Sequence, residues 1–356
     1  MKTKKVLVFT RYDFIGPSSR LRFIQYFKFF EDSGLQMTHS PLFSDEYLKR
    51  SFKNKPIFFQ VLQGYVKRFF KLLSLSKYDV IWIEKELFPY LPYFVEKFFL
   101  KKSISYIVDY DDAIFDNYDS SKNIIFKTIF NKKIANIMRN ALVVIVGNEH
   151  LKNYALKVSD AKEVIELPTV VNLDLYPKTK QFGSDKTIKV GWIGTPSTLV
   201  FLKPLFQLFQ KLSKELDVEF IAIGVDDNHT GNSIIKTKEW SYENEFSLLH
   251  DIDIGIMPLP NNNWTKGKCG YKLIQYMACY KPVIASPIGI NKTLINQDGN
   301  GYLAKDIKDW DKYLRLLIKS KDLRHSMGIN GRKLVEKKFS TEKVFPKLKE
   351  IFLTVN

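Results

Sequence analysis

The sequence predicts an α/β protein made of two parallel-sheet domains that face each other across a cleft. The chain has 356 residues, 45% of them hydrophobic, which is enough for two cores. Short apolar runs of strand length alternate with helical stretches through both halves, as is typical of parallel sheets. Residues 168–184, which contain Pro177 and Gly183, lack this pattern and are the expected linker. We therefore expect domains at 1–170 and 171–339.

The elements follow from the hydrophobic pattern. In the first half, strands are predicted at residues 6–10, 80–83, 104–108, 143–146 and 163–167, and helices around residues 19–32, 58–75, 90–100 and 122–140. In the second half, strands are predicted at residues 189–193, 218–223, 252–257, 283–285 and 302–304, and late helices begin near Asp306, Lys321 and Ser340. The alternation in each half predicts one parallel sheet per domain.

Composition limits the classes of protein. The apolar runs are interrupted by charge and are too short to span a bilayer, and residues 6–10 are too short for the apolar core of a signal peptide. The two cysteines, Cys269 and Cys279, lack neighbouring histidines, so neither a zinc site nor a disulfide framework is expected. These features indicate a cytoplasmic protein. The net charge of +17 favours an anionic partner, which charge alone does not identify as nucleic acid, membrane or phosphorylated substrate.

A basic, aromatic segment at residues 48–77 contains no acidic residue. On a helical projection one face carries Phe58, Leu62, Tyr65, Val66, Phe69 and Leu73. Lys67, Arg68 and Lys71 lie off that face. This pattern is typical of a helix that lies on an anionic membrane surface. The alternative is that the apolar face packs on the domain core and the basic residues are solvated.

Residues 267–291 are the most informative stretch for function. A helix is predicted to begin near Gly270 and to end before Pro282, and a short buried strand follows. A helix N-terminus attracts phosphate, and Lys268 and Lys272 add positive charge beside it. The stretch therefore indicates a nucleotide-diphosphate site, and an ordinary αβ unit with solvated lysines is the alternative.

A second candidate is the turn between a strand and a helix at residues 191–198, GWIGTPST. Its glycines let the backbone approach a phosphate closely, and Pro196 or Ser197 begins the helix. It lacks the Gly-Lys-Ser/Thr of a Walker loop and the later glycine and acid of a dinucleotide-binding loop.

In the first domain, residues 16–20 (GPSSR) follow the first strand, where open αβ sheets bind ligands. We expect Gly16, Ser18, Ser19 and Arg20 to bind a phosphate or hydroxyl of a second substrate, the acceptor of a transferred group, and a helix cap with an exposed arginine is the alternative. Another strand ends at Val108 and is followed by Asp109, Asp111 and Asp112. Asp111 and Asp112 are candidates for binding acceptor hydroxyls, for proton transfer or for orienting Arg20. Glu84 is a weaker acceptor candidate. No ligand set for a metal accompanies these acids.

Residues 277–283, MACYKPV, resemble the corresponding segment of glycosyltransferase family 4, whose fold is GT-B. The resemblance continues through KVGWIGTPST at 189–198, DIDIGIMPLP at 251–260 and NGYLA at 300–304. Gly267 and Gln275 replace the two family glutamates, and the pattern is nearer to a subset with Gly-Lys-Cys before the helix. Tyr280 replaces the usual glycine.

The resemblance implies a GT-B fold, in which a C-terminal helix at 340–356 packs back on the first domain. It also implies nucleotide-sugar contacts from Gly194, Thr195, Ser197, Gly270, Tyr271, Lys272, Gln275, Gly289 and Asn291. Lys272 and Lys268 would stabilise the leaving diphosphate, with no bound metal, no other cofactor and no agreed nucleophile. Gln275 stands where the family glutamate holds the ribose hydroxyls.

The sequence therefore predicts a glycosyltransferase at the inner face of the cytoplasmic membrane, and the resemblance makes it a retaining enzyme. It would move a sugar from a nucleotide donor to a glycan or polyprenyl-linked acceptor in cell-surface polysaccharide synthesis. A nucleotide-sugar epimerase of the same fold is one alternative. A basic nucleic-acid-binding protein is another, although no zinc finger, RNP or helix-turn-helix signature accompanies the charge.

Overall fold

The structure is a computed structural model that describes residues 3–100, 105–119, 123–161, 163–176 and 187–355. It divides into two compact units. The first comprises Met1–Thr169, Gly267–Cys269 and Val344–Asn356, and the second comprises Val170–Lys266 and Gly270–Lys343. Gly267–Cys269, which the sequence assigns to the second domain, thus group with the first unit. Residues 177–184 of the expected linker lie outside the described residues.

The first unit contains a six-stranded parallel sheet in the order β2-β1-β3-β4-β5-β6. Its strands are Lys4–Tyr12 (β1), Leu35–Phe43 (β2), Val80–Glu84 (β3), Tyr106–Tyr110 (β4), Val143–Val146 (β5) and Glu163–Glu166 (β6). The second unit contains a six-stranded parallel sheet in the order β12-β11-β10-β7-β8-β9. Its strands are Ile188–Ile193 (β7), Val218–Ile223 (β8), Ile235–Lys238 (β9), Ile254–Met257 (β10), Val283–Ala285 (β11) and Gly301–Leu303 (β12).

Helices cover the sheets. Before the second sheet they are Pro17–Arg22 (α1), Phe27–Glu31 (α2), Asp45–Phe52 (α3), Phe58–Leu72 (α4), Tyr93–Phe99 (α5), Phe115–Asp119 (α6), Ile124–Phe130 (α7), Lys133–Arg139 (α8) and Glu149–Val158 (α9). Those that follow are Phe206–Glu215 (α10), Asp227–Thr230 (α11), Glu245–His250 (α12), Asn263–Lys266 (α13), Tyr271–Ala278 (α14), Asn291–Leu294 (α15), Ile307–Lys319 (α16), Lys321–Lys338 (α17) and Thr341–Thr354 (α18). Across the described ranges, no helix is long and apolar enough to cross a membrane.

The predicted parallel α/β architecture is confirmed in each unit, and the differences are local. The sequence did not predict strands β2 and β9. The helix expected at 122–140 is interrupted after α7, since Asn131 leaves helical geometry and Lys132 adopts a left-handed φ of +59°. The residues where that helix and the third strand were predicted to begin, 122 and 104, lie outside the described part.

Helix α4 packs against β2 through Gly64, because a Cβ at that position would overlap the carbonyl oxygen of Leu42. The same face carries Arg68, which is 1% exposed. Its guanidinium donates to the carbonyl oxygens of Leu87 (3.2 Å), Thr10 (2.6 Å) and Ser40 (3.0 Å). Burial lowers the pKa of Arg68 to about 9. Arg68 lies off the apolar face as predicted, but the expectation that it is a solvated or membrane-binding basic residue is wrong.

Helix α18 completes the core of the first unit. Phe352 packs edge-on against Trp82, with ring centroids 4.9 Å apart, and against Phe30 at 5.0 Å. Phe345, on the same helix, contacts Phe30 at 5.0 Å. Residues from 344 onward therefore belong to the first unit, together with the sheet β1–β6.

Candidate functional site

In the second unit, a turn at the carboxyl end of β7 carries the first group of predicted donor residues. Gly194 closes the strand, and its N–H donates to Ile223 O at 2.9 Å. Thr195 and Thr198 cap a short 3-10 helix, since the Thr195 N–H donates to Thr198 Oγ1 at 3.1 Å. The hydroxyls of Thr195 and Ser197 lie 2.9 Å apart. The turn thus presents hydroxyl groups at the edge where parallel α/β sheets bind ligands.

Helix α14 begins at the same edge. Its N-cap, Gly270, has a left-handed φ of +65°, and a Cβ there would also overlap Leu294. Tyr276 fixes the helix on the sheet, because its hydroxyl accepts from Ile193 N at 2.9 Å. Lys272, in the first turn, has its ammonium 4.5 Å from the ring centroid of Trp192 on β7. The lysine is therefore held beside the strand that ends in the 194–198 turn.

The loop after β11 carries two further predicted donor residues. Gly289 has a φ of +51°, and a Cβ there would overlap the backbone of Lys266. The buried Asn291 donates from its amide to Ser286 O at 3.0 Å. These contacts show that Gly289 and the Asn291 side chain maintain the shape of the loop.

Gln275 is buried one helical turn after Lys272. Its amide Nε2 donates to Glu245 Oε1 at 3.0 Å, and Trp240 Nε1 donates to Glu245 Oε2 at 2.8 Å. The sequence did not single out Glu245. No local signal marks it, because α12 approaches α14 only in the folded unit.

In the first unit, a polar cluster lies where β3 and β4 end. Lys85 Nζ lies 2.7 Å from Asp111 Oδ1, 3.9 Å from Glu84 Oε1 and 3.1 Å from Ser18 Oγ. Ser18 donates to the other carboxylate oxygen of Asp111. Burial disfavours the charged forms of both Lys85 and Asp111, but their attraction outweighs it, raising the pKa of Lys85 and lowering that of Asp111 to about 2.

Asp112 and Lys268 extend this cluster. Lys268 Nζ lies 2.8 Å from Asp112 Oδ1, and Lys85 Nζ lies 4.0 Å from Asp112 Oδ2. Asn148 holds the backbone of this segment by donating to Gly267 O at 2.9 Å and Lys268 O at 3.2 Å. Lys268, predicted to bind diphosphate, is thus paired with one of the predicted acids.

Lys85 is the functional candidate that the sequence analysis missed. Its backbone has a φ of +63°, a conformation that a lysine adopts only when its surroundings impose it. Lysine beside glutamate at the end of a strand is a common pattern, and nothing in it indicates that the side chain turns inward to Asp111.

Three predicted acceptor residues are buried within the first unit. Ser19 donates to Glu84 Oε2 at 2.6 Å and accepts from Tyr12 N at 3.0 Å. Arg20 is 5% exposed and donates to Phe14 O at 3.3 Å. These contacts hold the loop in place, and direct binding of an acceptor by Ser19, Arg20 and Glu84 stays a prediction. Gly16 is required by packing, because a Cβ there would overlap Tyr12.

Asp109 is also held by a contact within the first unit. Arg22 pairs with Asp109 Oδ1 through Nε at 2.9 Å and Nη2 at 2.7 Å. In the described ranges, no group of three or more His, Cys, Asp or Glu side chains is arranged to hold a metal ion. Of the three aspartates, Asp111 and Asp112 retain the partial exposure that contact with a ligand requires.

Comparison with known proteins assigns the class of the second unit. Residues 205–334 match the family described as glycosyl transferases group 1, so the second unit carries a domain of this type. The GT-B fold is confirmed by structural similarity. Sucrose-phosphate synthase from Thermosynechococcus elongatus superimposes with a TM-score of 0.69 at 13% identity, over 98% of each chain.

Two further matches agree with this class. Anabaena Alr3699/HepE, solved in complex with UDP and glucose, gives a TM-score of 0.67 at 12% identity, over 99% of this chain and 100% of that one. An uncharacterized glycosyltransferase of Methanocaldococcus jannaschii is 24% identical over 315 residues, which are 80% of this chain and 77% of the relative.

Proposed function

We propose that the protein is a glycosyltransferase that moves a sugar, with retention of configuration, from a nucleotide-sugar donor to a glycan or polyprenyl-linked acceptor in cell-surface polysaccharide synthesis. The observation that carries this proposal is the placement of Lys272. Its ammonium lies over Trp192, in the first turn of α14 and beside the 194–198 turn. A helix N-terminus and a lysine together suit a diphosphate, whose negative charge grows as the sugar leaves.

The donor residues in this proposal are Gly194, Thr195, Ser197, Gly270, Tyr271, Lys272, Gln275, Gly289 and Asn291. Similarity to Alr3699/HepE, solved with UDP and glucose, supports a nucleotide sugar as the donor class. On the first unit, Ser18, Asp111 and Asp112 are the acceptor candidates that remain partly exposed. A carboxylate held ionised by Lys85 is suited to accept hydrogen bonds from acceptor hydroxyls.

A panel of nucleotide sugars, screened for stabilisation of the fold, tests the donor class, because a ligand raises stability by mass action. Mass spectrometry of the products with the stabilising donor then detects transfer to an acceptor, and chromatography or NMR of the recovered nucleotide sugar detects an epimer, which has the same mass as its substrate. Formation of an epimer without an acceptor indicates an epimerase. Binding of nucleic acid, with no response to any nucleotide sugar, indicates a nucleic-acid-binding protein. We expect transfer to persist in EDTA, and activity that is lost in EDTA and restored by manganese would contradict metal-independent transfer.

We also propose that the first unit binds the inner face of the cytoplasmic membrane. Helix α4 exposes the apolar side opposite Arg68: Phe59 is 78% exposed, and Phe58, Leu62, Val66, Phe69, Phe70 and Leu73 are also exposed. Lys67 is exposed beside them. Exposed aromatic residues combined with basic residues suit an anionic lipid surface.

A neighbouring helix adds to this surface. Phe69 on α4 contacts Phe99 on α5 with ring centroids 5.5 Å apart, and α5 exposes Phe94 and Phe98. Exposed aromatic rings on two adjacent helices support a hydrophobic rather than a purely ionic attachment.

A further inference from the structure

Glu245 is a carboxylate placed next to a site that would take an anion. It is the first residue of α12, and its two oxygens are held by separate donors, the Gln275 amide at 3.0 Å and the Trp240 indole N–H at 2.8 Å. These contacts fix the orientation of a side chain that is only half buried. Each carboxylate oxygen accepts more than one hydrogen bond, so these two donors alone do not saturate the carboxylate.

The charge of Glu245 limits what it can contact. A carboxylate repels a diphosphate, so a partner in this region must present hydroxyl donors. Gln275 lies three residues after Lys272, which displaces it by about 4.5 Å along the helix from the end that attracts phosphate. Hydroxyl groups flank the diphosphate of a nucleotide sugar on both sides, in the ribose and in the transferred sugar, whereas a nucleoside diphosphate carries only those of the ribose.

We infer that Glu245 accepts hydrogen bonds from the ribose hydroxyls of the donor, and that Gln275 is a positioning residue that holds Glu245. This inference rests on the proposed donor site around Lys272. The charged contact with the ribose then comes from α12, whereas the family resemblance places it on α14. Gln275 then has a positioning role, because its amide donates a hydrogen bond to the carboxylate of Glu245.

The inference reverses an expectation from the family resemblance. If Gln275 contacts the ribose by itself, Gln275→Glu restores the family residue and binds at least as well as the wild type. If Gln275 holds Glu245, the same change removes the donor and puts two carboxylates within hydrogen-bonding distance, so affinity falls. The swapped double variant Glu245→Gln/Gln275→Glu restores one amide and one carboxylate, and it should recover most of the loss.

The test is calorimetric titration of UDP, GDP and ADP, each with its 2',3'-dideoxy analogue, into wild type and variants. For at least one nucleotide, we expect the wild type to bind the ribose form at least about tenfold more tightly than the dideoxy form. Glu245→Gln should remove most of this ratio and leave dideoxy binding unchanged, which a merely structural role would not do. Glu243→Gln, which makes the same charge change two residues earlier on an exposed side chain, should leave the ratio intact.

Equal loss of both forms in a folded Glu245→Gln protein would overturn the inference, as would equal binding of the ribose and dideoxy forms by the wild type. Improved binding by Gln275→Glu alone would overturn the positioning role. If no nucleoside diphosphate binds the folded wild type, the proposed donor site fails and the inference fails with it. Thermal unfolding of each variant establishes that it is folded.

Discussion

Lys85 shows how one residue organises the first unit's polar cluster. A strained backbone at +63° turns its ammonium toward Asp111 at 2.7 Å and Ser18 at 3.1 Å, away from water. Strain of this kind costs about 1 to 3 kcal/mol and persists where surrounding contacts offset it. The cluster therefore keeps the ionised carboxylate of Asp111 in a fixed geometry before any ligand arrives.

Lys85→Met should lower the free energy of unfolding by about 3 to 5 kcal/mol, because it leaves the carboxylate of Asp111 without its cation. Adding Asp111→Asn should recover a large part of that loss, since the uncompensated charge is then removed as well. Urea denaturation measures both variants. A Lys85→Met protein as stable as the wild type would show that the ion pair contributes nothing.

The pH dependence of stability is an independent test of the ion pair between Lys85 and Asp111. Folding lowers the pKa of Asp111, so its ionised form stabilises the protein above the unfolded pKa of about 4. That contribution is lost as the pH falls through the folded pKa of about 2. The wild type should therefore lose more stability than Asp111→Asn between these pH values.

Lys272→Ala should weaken the binding of a nucleoside diphosphate at least about tenfold. The substitution removes a charge-assisted contact worth roughly 1.5 to 3 kcal/mol. Lys214→Ala removes one positive charge from an exposed position of α10 in the same unit and should leave affinity nearly unchanged. Wild-type affinity in a folded Lys272→Ala protein, measured by calorimetry, would exclude this lysine from the site.

At the scale of elements, the pattern of apolar residues along a strand decides whether the sequence reveals it. The predicted strands include all the central ones, which are buried on both faces and appear as apolar runs. The two that were missed, β2 and β9, are edge strands. Their sequences, LQMTHSPLF and IKTK, mix polar residues and a proline with the apolar ones, as edges permit.

The candidate site divides in the same way. Glycines and lysines in the loops around 191–198 and 267–291 were proposed as site residues from the sequence, because loops after parallel strands lie at the carboxyl edge of the sheet. Glu245 and Lys85 were not, since nothing in their local sequence shows that Glu245 meets Gln275 or that Lys85 meets Asp111. Arg68 was misassigned because a helical projection ranks residues by polarity, whereas the close approach at Gly64 selects the buried face.

Helix α4 should bind vesicles that contain anionic lipid, and more weakly as salt rises. Phe59→Ser/Phe70→Ser should reduce binding without unfolding the protein, since both rings are exposed, and Lys67→Ala should cost about 1 kcal/mol. Val200→Ser, at an exposed apolar position of the second unit, is the control. Co-sedimentation that is unaffected by the phenylalanine changes would contradict a role for α4.

At the scale of the whole molecule, the first unit is assembled from separated parts of the chain. Phe352→Ala should lower the free energy of unfolding by about 3 to 5 kcal/mol, because it opens a cavity against Trp82 and Phe30. Leu353→Ala, at the adjacent residue, which is 53% exposed, should have a small effect. Calorimetric unfolding compares the two. Similar losses from both variants would mean that α18 is not part of this core.

The contact of Phe352 with Trp82 also determines when the core of the first unit can be completed during synthesis. The two residues are 270 positions apart in the chain. At roughly 5 to 20 residues per second, a ribosome takes roughly 15 to 55 seconds to travel from one to the other. For that time the apolar core of the first unit is incomplete, whereas the intervening unit has all of its own residues before Phe352 is made. The nascent protein is therefore a candidate client for chaperones until its last helix emerges.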